Sequence, residues 1–231
     1  MKRMLFPQLP NNTPIYMLWA ACIFLVQSSC STTNRFEEEI ATFEKQDRQE
    51  GYQNDFVLFT GSSSIRLWKT LESDMEGLNV LNRGFGGATL RELNMHWSRI
   101  AGKHQPALVV LYCGENDIAE GATVEKTLEH FHSYMEKYRN TYAEVPLIYI
   151  AMKPSPSRMA FWADYQEADE LIKAIIEDLP NTYFIDLGST MYNEAGKLKP
   201  EIFEADSLHM NALGYQGWTE KLRPLMEVNL E

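Results

Sequence analysis

The sequence predicts an α/β protein: a three-layer α/β/α sandwich built on a five-stranded parallel, flavodoxin-like sheet. Three observations carry that expectation. Five apolar runs (Phe56–Phe59, Val80–Leu81, Leu108–Tyr112, Leu147–Ala151 and Tyr183–Leu187) are short and continuous, as strands buried on both faces are. Between them, apolar residues recur at helical spacing over Thr89–Ala101, Thr123–Tyr142, Ala160–Leu179 and Ala212–Val228. Strictly alternating strands and helices give right-handed crossovers and a parallel sheet. The 231 residues hold no repeat, low-complexity tract or linker, so one domain is expected over residues 31–231.

Ahead of the first strand, Phe36, Ile40 and Phe43 mark an amphipathic lead-in helix from Asn34 to about Gly51. Residues 1–30 read differently. Lys2 and Arg3 precede a polar, proline-bearing stretch, then an apolar run from Ile15 to Val26 and the tail Gln27-Ser28-Ser29-Cys30. About 20 apolar residues are needed to span a bilayer, and this run is shorter. It suits the core of a secretory signal followed by small residues at a cleavage site. The tail resembles a bacterial lipobox, with Gln27 at a position usually apolar and Cys30 where the lipid is attached. Export is the expectation, to the periplasm or as a lipoprotein anchored to the membrane through Cys30.

The formal net charge of −11 repels phosphate backbones and excludes nucleic acid as a natural partner. Neutral or cationic small molecules fit that surface better. There are three cysteines, Cys22, Cys30 and Cys113. Cys22 lies in the signal-like segment, and Cys113 closes an apolar run as a buried small hydrophobe.

In open α/β sheets the ligand site lies at the carboxyl ends of the strands, so the residues after each apolar run matter most. The first run leads to Gly61-Ser62-Ser63-Ser64-Ile65, where glycine allows a sharp exit and a serine can head a helix. The second leads to Asn82-Arg83-Gly84-Phe85-Gly86-Gly87. Thr89 breaks the spacing of a dinucleotide fingerprint there, so no nucleotide cofactor is expected. The third leads to Gly114-Glu115-Asn116-Asp117, either a turn or an amide held over the sheet as a donor. Near the end, Asp206 and His209 stand three apart. On a helical turn they share a face, and the carboxylate can reach the imidazole. His96, His104, His130 and His132 have no such partner in helical register, and no metal site is expected.

Taken together, the blocks GSSSI, NRGFGG, GEND and DSLHMNALGY resemble those of the SGNH (GDSL-like) serine hydrolases, closest in spacing to the platelet-activating-factor acetylhydrolase-like branch. The resemblance runs from about Phe56 to Tyr215. It implies a serine esterase without cofactors, in which Ser63 is the nucleophile, His209 the base and Asp206 its carboxylate. It also implies an oxyanion hole of the Ser63 and Gly87 backbone N–H groups and the Asn116 amide. Ser62 departs from the pattern, standing where the family usually has aspartate. Small acyl groups, including acetyl on a glycan, are the substrates it suggests. Two other readings share the same residues or fold: an acyltransferase to a glycan, and a non-catalytic carbohydrate-binding protein. Lys153 to Arg158, with Phe161 and Trp162, forms either a rim loop or a proline-stiffened connection.

Overall fold

The computed structural model describes residues 35–230. The chain divides into Met1–Glu37 and a compact unit, Glu38–Glu231. In the first, the Arg35 guanidinium lies 4.9 Å over the Phe36 ring. The signal-like segment, Cys22 and Cys30 lie outside the described residues.

The strands are β1 (Val57–Gly61), β2 (Val80–Gly84), β3 (Leu108–Tyr112), β4 (Leu147–Ile150) and β5 (Thr182–Ile185). They pair in parallel in the order β2-β1-β3-β4-β5, the flavodoxin-like arrangement. Helices lie on both faces, so β1, β3 and β4 are buried along their whole length and read as unbroken apolar runs. β3 coincides with its apolar run, and the ends of β1, β4 and β5 lie within two residues of theirs. The largest change is at β2, where Asn82, Arg83 and Gly84 complete the strand because the backbone ladder tolerates polar residues at a sheet edge.

The long helices are α1 (Glu37–Glu50), α4 (Leu90–Ile100), α6 (Val124–Thr141), α7 (Trp162–Glu177) and α8 (Ala212–Val228). The starts of three are chemically marked. Thr89 and Glu92 form a reciprocal capping box on α4, Thr123 caps α6, and Asn211 accepts from the Leu213 and Gly214 N–H groups of α8. Three short helices, α2 (Ser63–Arg66), α3 (Leu71–Asp74) and α5 (Glu115–Ala119), were not foreseen, since four or five residues show no 3.6-residue period.

Aromatic rings fill both layers. On one face Trp68 stacks on Tyr215 at 5.0 Å, and Tyr112 meets Trp218 at 5.2 Å. On the other, Trp97 packs edge-on against Tyr134 at 5.4 Å. Each such buried side chain contributes about 1.5–3 kcal/mol of hydrophobic stabilisation. Register does the remaining work for the site. Gly61 lies opposite both Gly84 and Tyr112, so β1, β2 and β3 end level and their following residues open at one edge.

Candidate active site

Gly61 makes the sharp exit from β1. Its φ of +139° is closed to side chains, and a Cβ there would lie 2.0 Å from the Tyr112 carbonyl oxygen. That approach lets the Ser62 N–H donate to the same oxygen at 2.9 Å, and α2 starts one residue later. Three consecutive serines then take different directions. The Ser62 and Ser64 hydroxyls are buried with no hydrogen-bond partner. The Ser63 Oγ lies 2.9 Å from Nε2 of His209.

His209 is held by a turn, not by the helical turn that its spacing from Asp206 suggested. Ser207 adopts φ +56°, which no helix permits. Asp206 still reaches back, because its Oδ1 accepts from the Leu208 N–H at 2.9 Å and the His209 N–H at 3.0 Å. Oδ2 is 2.5 Å from His209 Nδ1. Partial burial works against ionisation of Asp206, but the His209 N–H, its imidazole and the Leu208 N–H outweigh it and draw the carboxyl down to about 2. An ionised carboxylate only accepts, so Nδ1 carries the proton and the Nε2 lone pair faces Ser63. The turn is closed by the Glu204 N–H donating to the His209 carbonyl at 2.8 Å and by a bridge between Phe203 and Met210.

Asn116 sits in the first turn of α5, level with the end of β3. Its Nδ2 donates one hydrogen to the Ala88 carbonyl at 3.1 Å, tying it to the residue after Gly87 and leaving a second hydrogen. Gly87 itself adopts φ +72°, the left-handed region that favours glycine. The Ser63 N–H, at the start of α2, has no backbone acceptor among the described residues.

Several residues buttress these groups through contacts that the sequence did not show, two of them (Lys153 and Arg158) from the segment read as a rim loop or a stiffened connection. Lys153 and Glu115, both fully buried, form an ion pair at 3.4 Å beneath α5. The Tyr112 hydroxyl donates to the same carboxylate, and the Tyr165 hydroxyl donates to the Glu115 carbonyl at 3.0 Å. Arg158, in a 3₁₀ turn over Pro156–Phe161, donates from Nη2 to Asn116 Oδ1 at 3.4 Å. Two histidines without partners in helical register find acids through the fold. His130 Nδ1 lies 2.8 Å from Asp117 Oδ1, and His104 Nε2 lies 3.2 Å from Asp47. The other oxygen of Asp117 accepts from the Leu90 N–H at the start of α4. Pairings between residues 13 and 57 apart leave no local spacing to read.

Cys113 is a buried free thiol, pushed well up by burial and by the neighbouring Asp117. Among the described residues no group of three or more His, Cys, Asp or Glu side chains could hold a metal ion. No described helix is long and apolar enough to cross a membrane.

Comparison with known proteins agrees with this architecture. The sequence model of the GDSL-like Lipase/Acylhydrolase family matches residues 50–216. No curated protein matches the chain by sequence. Among solved structures, one from Streptococcus pneumonia, provisionally described as a platelet activating factor, superposes with a TM-score of 0.73 at 17% identity, covering 82% of this chain and 92% of that one. A GDSL-like lipase from Bacteroides thetaiotaomicron gives 0.62 at 22% identity, covering 84% and 97%. A variant of an acetyl-xylooligosaccharide esterase from Geobacillus stearmophilus gives 0.60 at 16%, covering 78% and 95%. With a family match over most of its length and the parallel sheet of its structural neighbours, the chain belongs to the GDSL-like lipase/acylhydrolase family of SGNH-type ester hydrolases.

Proposed function

We propose that the chain hydrolyses esters of small acyl groups, including acetyl on carbohydrate, through an acyl-enzyme on Ser63. The observation that carries this reading is the continuous chain of contacts from Asp206 through His209 to the Ser63 hydroxyl. With the Nε2 lone pair directed at Oγ, His209 takes the Ser63 proton as the oxygen attacks the ester carbonyl. Asp206 stabilises the imidazolium that results. The oxyanion is met by the Ser63 N–H, the Gly87 N–H and the second hydrogen of the Asn116 amide. One fixed donor of this kind is worth about 10²–10³ in rate. His209 then returns the proton to the leaving alcohol, and water repeats the cycle on the acyl-enzyme.

Carbohydrate is favoured by a hollow of about 250 Å³ at the carboxyl ends of β4 and β5, lined among others by Trp162, Phe184, Gln166 and Lys173. Aromatic faces with amide and charged groups between them suit a polyhydroxylated ligand. The acetyl-xylooligosaccharide esterase and a family 3 carbohydrate esterase from Clostridium thermocellum share the fold. Export directed by residues 1–30, with lipid on Cys30, completes the reading.

Labelling with a fluorophosphonate tests the nucleophile. The wild-type chain is expected to be labelled at Ser63 and to release acetate from acetylated xylooligosaccharides, and Ser63→Ala to do neither. A labelled, active Ser63→Ala enzyme would overturn the assignment. Asn116→Ala is expected to lower kcat about 10²–10³-fold with the fold intact. Palmitate incorporation in a bacterial host, lost in Cys30→Ser, tests the anchor.

A further inference from the structure

The 3₁₀ turn Pro156–Phe161 is fixed to both sides of the site. Arg158 donates from Nη2 to Asn116 Oδ1 at 3.4 Å. The adjacent Ser157 N–H donates to the Ser207 carbonyl at 3.1 Å, one residue from Asp206. A further bond within the turn, from the Arg158 N–H to the Ser155 carbonyl at 3.0 Å, holds the side chain's root. The guanidinium therefore touches the amide assigned to the oxyanion hole, and the backbone beside it is tied to the turn that holds His209.

Arg158 and Arg139 both bond to neutral oxygens alone, but Arg139 spreads its fork over the Ala143, Val145, Pro180 and Asn181 carbonyls and the Thr182 hydroxyl, whereas Arg158 has one acceptor. Acidic residues outnumber basic ones by 32 to 21, so carboxylates are in excess. Arg66, Arg83, Arg99 and Arg223 each face one. Arg48 and Arg91 are exposed to water. Arg158 is half-buried, yet its one polar side-chain contact among the described residues is a neutral amide oxygen. A guanidinium has five N–H donors in a planar fork suited to a carboxylate, and four of these have no acceptor among the described residues.

Resting on the serine-esterase reading, we propose that Arg158 determines specificity by binding a carboxylate carried by the substrate, so that the preferred substrates are esters of acidic molecules, such as O-acylated acidic sugars. The summed charge of the chain opposes anions at a distance, but at physiological salt it is screened beyond about 8 Å. At contact, a charge-assisted hydrogen bond in a partly desolvated site is the larger effect.

Two matched pairs separate the side of the ester that bears the anion: phenyl acetate against 3-acetoxybenzoate, and phenyl butyrate against phenyl hemisuccinate. In one pair or the other, Arg158→Ala is expected to lower kcat/KM for the carboxylate ester about 10–100-fold more than for its neutral partner. Arg158→Lys should recover part of that ratio, and Arg158→Glu should invert the preference. Equal losses in both pairs would mean that Arg158 only orients Asn116, and would overturn the proposal. An NMR titration with benzoate reads the anion site without turnover. A tenfold or greater weakening in Arg158→Ala supports the proposal, and unchanged affinity rejects it. Wild-type protein that binds benzoate but hydrolyses none of the four esters would sink the esterase reading alone.

Discussion

The Tyr215 hydroxyl donates to the Ser64 carbonyl over 2.8 Å, and its ring stacks on Trp68 just beyond α2. The four-residue helix that carries Ser63 is thus pinned to α8, whose cap, Asn211, lies two residues after His209. The Ser63–His209 distance is set by packed aromatic rings and one hydrogen bond, and does not depend on the two side chains finding each other.

The serine triplet gives a direct mutational test. Neither the Ser62 nor the Ser64 hydroxyl has a hydrogen bond to lose, so Ser62→Ala and Ser64→Ala are expected to change unfolding free energy by less than about 1 kcal/mol. Both should keep most of their turnover on a short-chain aryl ester. A hundredfold loss in Ser62→Ala would show that this position, aspartate elsewhere in the family, has a catalytic share.

Asp206 sets an acid boundary. Its folded pKa of about 2 lies below the usual value of about 3.9, so its contribution is complete above that unfolded value and lost as pH falls through 2. The stability difference between wild type and Asp206→Asn is therefore expected to narrow from pH 4 towards pH 2, as followed by urea unfolding. Carboxyl NMR should find Asp206 titrating near 2. A midpoint near 4 would remove the hydrogen-bonded turn from the explanation.

Gly61→Ala is expected to destabilise severely, by about 3 kcal/mol or more, because the new Cβ meets backbone and not a movable side chain. Thermal unfolding and soluble yield measure it. A variant of near wild-type stability would mean that the end of β1 can separate from β3.

The Lys153–Glu115 pair predicts a non-additive result. Lys153→Met alone leaves a buried carboxylate without its cation and is expected to cost about 3–5 kcal/mol. Adding Glu115→Gln should recover a large part of that loss in a double-mutant cycle. Additive losses would show that the two charges do not interact.

The sheet was legible because its central strands are buried on both faces and must be apolar throughout, and the long helices because their caps and periodicity agree. The meeting of Ser63, His209 and Asp206 is the part of the candidate site that the structure and the sequence share. Ser63, Gly87, Asn116 and the Asp206–His209 pair all follow the strand ends or stand close together in sequence. What could not be read is non-local. Glu115 is indistinguishable from a surface acid until Lys153 arrives from the end of β4, 38 residues later. Arg158 acquires its position from its own bond to Asn116 and from that of the adjacent Ser157 N–H to Ser207. The geometry of the Asp206 turn was misjudged because a spacing of three does not distinguish a helical turn from one in which a single serine adopts positive φ.

The nucleophile and its base are 146 residues apart in the chain, and the base stands just ahead of α8. A half-assembled molecule can therefore hold a complete sheet and still be inert, since nothing deprotonates Ser63 until the C-terminal segment docks. For a hydrolase, this order of assembly is itself a safeguard: catalytic competence and the finished fold appear in the same step.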